Sequence, residues 1–115
     1  DSKYREEFRQ LYSTAIERCC LLLGRSGFEK DPSSDSRTRA KNSTLFEVWM
    51  VEMASISQED FDTLLSKKEI LRERVVSLLK DSEFFNAITY STQKKGHVEV
   101  RYDKVGQLIK GVLND

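Results

Sequence analysis

Ten residues, Leu45 to Ala54, constrain this chain more than any others. Written as LFEVWMVEMA and wound into a helix, they place apolar side chains almost all the way round, with only Glu47 and Glu52 interrupting. A helix of that kind must be enclosed by neighbours rather than lie on a surface. The periodicity on either side supplies those neighbours, so the chain reads as all-α: an orthogonal bundle of five to six helices around a central buried helix at about 43–55.

The first helix starts near Ser2, which can cap it. Tyr4, Phe8, Leu11, Tyr12, Ala15, Ile16, Cys19, Leu22 and Leu23 then recur at three-and-four spacing as one inward face. Arg5, Glu6, Arg9, Gln10 and Ser13 form the polar face. Gly24 or Gly27 provides the left-handed stop, and Phe28 can fold back on the helix end. Residues 29–42, EKDPSSDSRTRAKN, hold no apolar side chain except Pro32 and Ala40 and read as a flexible polar loop.

Ser43 or Thr44 can cap the central helix. Ser57, with Asp60 three residues on, signals the next start, and that helix buries Phe61, Leu64 and Leu65. A bend at Lys67 separates it from a face of Leu71, Val75, Leu78 and Leu79. Asp81 or Ser82 caps a short helix carrying Phe84, Phe85 and Ile88. Thr89–Gly96 reads as a loop. His97–Tyr102, HVEVRY, alternates as a strand would, but a lone strand has no partner here, so a last helix from about Val98 is the better reading.

Composition narrows the function classes. The 115 residues carry 19 basic and 19 acidic side chains, so bulk charge selects no partner. No apolar run approaches a membrane span. Adjacent Cys19 and Cys20 project about 100° apart on a helix and are poorly placed to bond to each other, which points to a reducing, cytoplasmic setting. The chain opens on Asp1 directly into helical periodicity, which predicts a single domain, 1–115, that is a fragment of a larger protein.

Chemistry is sparse. A zinc site needs more Cys or His ligands at workable spacing than Cys19, Cys20 and the single His97 provide, so no metal or cofactor is expected. A cysteine facing a helical core has neither substrate access nor electropositive surroundings to activate it. Glu47 and Glu52, five apart, share no face for paired acid catalysis; each should instead meet a base, with Arg39 and Arg101 as candidates. No catalytic residue is assigned. Lys94, Lys95, His97, Arg101 and Lys104 crowd the start of the last helix, where free amide donors also favour phosphate, and make a candidate nucleic-acid surface. Trp49, Met50 and Met53 read as core. A face of the central helix left exposed would mark the seam to another part of the protein.

Several short motifs carry a resemblance. These are Gly24-Arg-Ser-Gly-Phe28, Arg39-x-x-Asn42-x-x-Leu45-Phe46-Glu47, Phe84-x-x-Ala87-Ile88, and Lys94-Lys95 before Val98-x-x-Arg101-Tyr102. Together they resemble the C-terminal helical region of a bacterial family of unknown function that has an N-terminal ParB-like nuclease domain and is related to the GmrSD modification-dependent restriction enzymes. That family's catalytic motif lies in the N-terminal domain and is absent from this sequence. The resemblance implies a non-catalytic accessory module of a restriction or phage-defence protein, whose parent is a nuclease or nucleotide hydrolase. Its partner would be the nuclease-like domain of the same parent chain. Arg39, Asn42 and Glu47 would fix the loop to the central helix, and Lys94, Lys95 and Arg101 would face a partner or DNA.

Overall fold

Buried side chains from all six helices form one core, in which Trp49 is the largest fully enclosed side chain. The computed structural model describes Ser2–Gly24 and Asn42–Asp115. Within those residues the elements are α1 (Ser2–Leu23), α2 (Ser43–Ser55), α3 (Gln58–Ser66), α4 (Lys68–Leu79), α5 (Ser82–Thr89) and α6 (Lys95–Leu113). No strand occurs among them. The all-α bundle expected from periodicity is therefore the observed fold, and HVEVRY is helical, inside α6. The polar segment at 29–41, including Arg39, lies outside the described residues, as do Gly27 and Phe28.

Local chemistry places the breaks. Ser57 accepts the Asp60 amide at 3.1 Å and starts α3. Lys67 departs from helical geometry (φ −112°, ψ 24°) between α3 and α4, and its Nζ donates to the Val112 carbonyl near the end of α6. Asp81 accepts the Phe84 amide and starts α5. Gly24 ends α1 at φ +66°, a conformation glycine reaches at no steric cost, and Arg72 Nε donates to the Leu22 carbonyl beside it.

Two expected positions shift. The cap of α2 is Asn42, not Ser43 or Thr44: its Oδ1 accepts the Leu45 amide at 2.9 Å while its Nδ2 donates to the Ile88 carbonyl at 2.7 Å. Only Asn42 can satisfy both the start of α2 and the end of α5, and the tertiary bond decides among three competent caps. The last helix begins at Lys95 rather than Val98, which shortens the connecting loop to Tyr90–Lys94.

α2 packs against α1, α5 and α6, and α6 against α2, α3, α4 and α5. Leu45, Val48, Trp49 and Met53 fill the space between them with Cys19, Leu22, Leu64, Leu71, Phe84, Val105 and Val112. Arg18 fixes α1 on this core. Its guanidinium donates to the carbonyls of Met53 (2.8 Å) and Ile56 (2.9 Å) at the C-terminal end of α2, and to Gln58 Oε1, while lying 5.3 Å from the centre of the Phe61 ring.

Because Asn42 is buried and serves two partners, Asn42→Ala should cost about 2–3 kcal/mol, the sum of a lost cap and an unpaired buried carbonyl. Urea unfolding checks it: the midpoint should fall with an unchanged slope.

Candidate functional site: an apolar groove between α1 and α2

The inward face assigned to α1 from its sequence divides in two. From Ala15 onward it is buried; before Ala15 it is not. Tyr4 is 71% exposed, Phe8 60%, Leu11 51% and Tyr12 48%, although they continue the same stripe. This corrects the expectation that all of them enter the core. The periodicity correctly identifies the apolar face, but α1 extends past what the bundle covers.

The same place breaks a second expectation. α2 should be enclosed all round, yet Val51 is 48% exposed, Phe46 and Ala54 are half-buried, and Glu47 is exposed. These two uncovered strips face each other. Phe8, Leu11, Tyr12 and Ala15 of α1, with Phe46, Glu47, Met50, Val51 and Ala54 of α2, line a groove of about 320 Å³. Its walls are almost entirely carbon, and Glu47 is its one charged lining residue. The Phe8 and Tyr12 rings stack 6.5 Å apart at 21°, one turn apart on α1, so the ridge beside the groove is ordered by its own contacts.

The basic cluster at the start of α6 separates into two groups. Lys94 and Lys95 are exposed, and Lys95 lies 4.0 Å from Glu99 in an i,i+4 pair. His97, Arg101 and Lys104 do share one face, but it is the face against α5. His97 Nδ1 donates to the Tyr90 carbonyl at 2.8 Å. Buried Arg101 donates to the carbonyls of Thr92 (2.9 Å) and Ala87 (3.3 Å), closing the end of α5 and the loop after it. That loop contains Ser91 at φ +46°, a left-handed position in a residue other than glycine. Lys104 bridges Asp81 (3.2 Å) and Glu83 (3.3 Å) at the start of α5.

Arg101 is consequently not the base that meets Glu47 or Glu52. Its NH1 is committed to carbonyls because the helix end it faces carries unpaired acceptors. Arg39, the other candidate base, lies outside the described residues. Burial pushes the Glu52 carboxyl above its usual range, as expected of a desolvated carboxylate. The Tyr102 hydroxyl is likewise raised, first by burial and then by the Glu47 charge.

Burial, reinforced by the neighbouring Cys20, pushes the Cys19 thiol up to about 12. It therefore stays protonated and unreactive at neutral pH, whereas Cys20 is exposed. No group of three or more His, Cys, Asp or Glu side chains suited to a metal ion occurs among the described residues. None of their helices is long and apolar enough to cross a membrane. Sequence reasoning missed Arg18, whose position one turn from both Ala15 and Leu22 of the buried stripe was the available signal.

No family model matches the chain, and neither the curated proteins nor the solved structures contain a match to it. Fold and surface define it as a helical-bundle domain with an apolar groove.

Two measurements follow. In folded protein a thiol reagent should label Cys20 quickly, and Cys19 only as fast as the chain unfolds; equal rates would contradict the burial. For Asp81, the Phe84 amide first and Lys104 second hold the carboxyl below its usual range. The stability it contributes is then complete above the unfolded-state value and lost as pH falls through the lowered folded value. Asp81→Asn keeps a capping oxygen but removes the charge, so its unfolding midpoint should lie below wild type at neutral pH. The two should converge on acidification.

Proposed function

We propose that this domain is a non-catalytic interaction module that docks a protein partner on the α1–α2 groove. The observation that carries this reading is the coincidence of two uncovered apolar strips, one on each helix, lining one concave surface. Tyr4, Phe8, Leu11, Tyr12 and Val51 together expose roughly 500 Å² of mainly apolar area, near the upper range of the largest patch on a typical monomer. Covering it is worth about 12 kcal/mol gross at ~25 cal/mol/Å², comparable with the ~4–15 kcal/mol that association costs. Remaining polar and van der Waals contacts can then bring affinity into a useful range. This is the class of role that the resemblance to the ParB-like and GmrSD-related family implies. On that resemblance the parent is a nuclease-type restriction or defence protein. Two free thiols accord with a cytoplasmic setting.

A second reading, nucleic-acid contact at the start of α6, is favoured by the exposure of Lys94 and Lys95 at a helix N-terminus. It is the weaker one because His97, Arg101 and Lys104 are engaged with α5 and the loop after it. Salt separates the two: phosphate binding falls steeply with ionic strength, whereas apolar docking changes little.

Placing a photo-crosslinking phenylalanine at Leu11, with one at exposed Lys68 as control, tests the docking reading in cells. Adducts at Leu11, mapped by mass spectrometry to a defined site on a protein, are expected, with none at Lys68. Absence of adducts at Leu11 would remove the docking reading.

A further inference from the structure

Resting on the docking reading, we infer that the occupant of the groove is a second copy of this chain, seated by a twofold axis so that each α1 ridge lies in the other copy's groove. Three observations point to a self-complementary patch. Ridge and groove are parts of one surface: Phe8, Leu11 and Tyr12 both project from α1 and line the groove. A twofold interface requires that identity of patch, whereas a head-to-tail contact would need a separate pocket elsewhere.

Charge follows the same pattern. The cleft on the outer end of α1 is lined by Tyr4, Arg5, Phe8 and Arg9, so two guanidinium groups accompany two rings of the ridge. The groove that receives the ridge carries one charged residue, Glu47, and it is acidic. Seating the ridge of one copy brings Arg5 and Arg9 toward Glu47 of the other, and the twofold axis repeats the pairing.

Area agrees as well. A standard interface covers about 800 Å² per partner, of which about 65% is apolar in homodimers. The apolar share is then roughly 500 Å², about what this patch exposes. The chain's own segment at 25–41 fits less well, because Phe28, Pro32 and Ala40 are its only apolar side chains among a run of charged and polar ones and the groove walls are carbon.

Sedimentation equilibrium of the purified chain, from low micromolar to near-millimolar concentration, tests the inference. The expected result is a reversible monomer–dimer equilibrium. Phe8→Glu, at an exposed position, should abolish the dimer, while at concentrations where both proteins are monomeric its helical circular-dichroism melt should match that of the wild type. Arg9→Glu and Glu47→Arg should each weaken it roughly tenfold, and the double variant should recover most of the loss. A monomer at every concentration, a dimer indifferent to Phe8→Glu, or growth beyond the dimer would each overturn it. Failure here is distinguishable from failure of the docking reading. A monomeric chain whose Leu11 crosslinks to a different protein, including a nuclease-like domain, overturns self-association and leaves docking standing; a monomer with no crosslink removes both.

Discussion

Arg18 determines how α1 meets the rest of the molecule. Its guanidinium satisfies two carbonyls at the end of α2 and lies over Phe61, so one side chain joins α1, the end of α2 and the start of α3. A helix end has four carbonyls without helical partners, and in a partly buried turn water cannot serve them all. Binding them with a rigid, multi-donor group fixes α1 lengthwise as well as laterally. With 22 residues α1 spans roughly 33 Å, against roughly 20 Å for the 13 residues of α2. Once Arg18 is set at the end of α2, the buried part of the stripe runs from Ala15 to Leu23. The remainder must project beyond the packed core.

Much of this fold was legible in the chain because its signals are local. Ser57 and Asp81 cap their helices through the amide three residues on, and Lys67 separates two apolar faces that do not continue in phase. What was not legible depends on tertiary partners. Asn42, Ser43 and Thr44 all carry capping oxygens, and the choice rests on the Ile88 carbonyl, 46 residues away. His97, Arg101 and Lys104 were correctly assigned to one face, but spacing does not say whether that face meets solvent or the end of α5. The groove was half legible for the same reason. Periodicity marks Tyr4, Phe8, Leu11 and Tyr12 as apolar-facing, and only the assembled bundle reveals that α1 outreaches its cover.

The electrostatics of the molecule are likewise local rather than global. With formal charge zero, net charge steers no partner, and among the described residues the paired charges act in contacts of a few ångströms. Lys104 closes on Asp81 and Glu83, and Arg74 on Asp115. Arg101 serves carbonyls where a carboxylate was expected, because the Ala87 and Thr92 carbonyls, at the end of α5 and in the loop after it, need a donor more than a solvent-accessible glutamate does. Cations that look from sequence like a binding surface are therefore in large part the means by which α5 is held to α6.

An apolar surface on a helix that leads back into the core has a further consequence. The Phe8–Tyr12 stack and the groove wall at Met50 lie on the two helices that Arg18 joins, so the shape of the groove is tied to the packing of Ala15, Cys19 and Met53 behind it. A partner seated there would not have to order a loose segment first. Ordering entropy, commonly about 0.5–1.5 kcal/mol for each immobilised flexible side chain, is reduced when the rings are already held by one another and by the helix. That would favour a specific contact of moderate area over an adaptable one, and a partner docking there, as proposed, would need less burial than a flexible surface does.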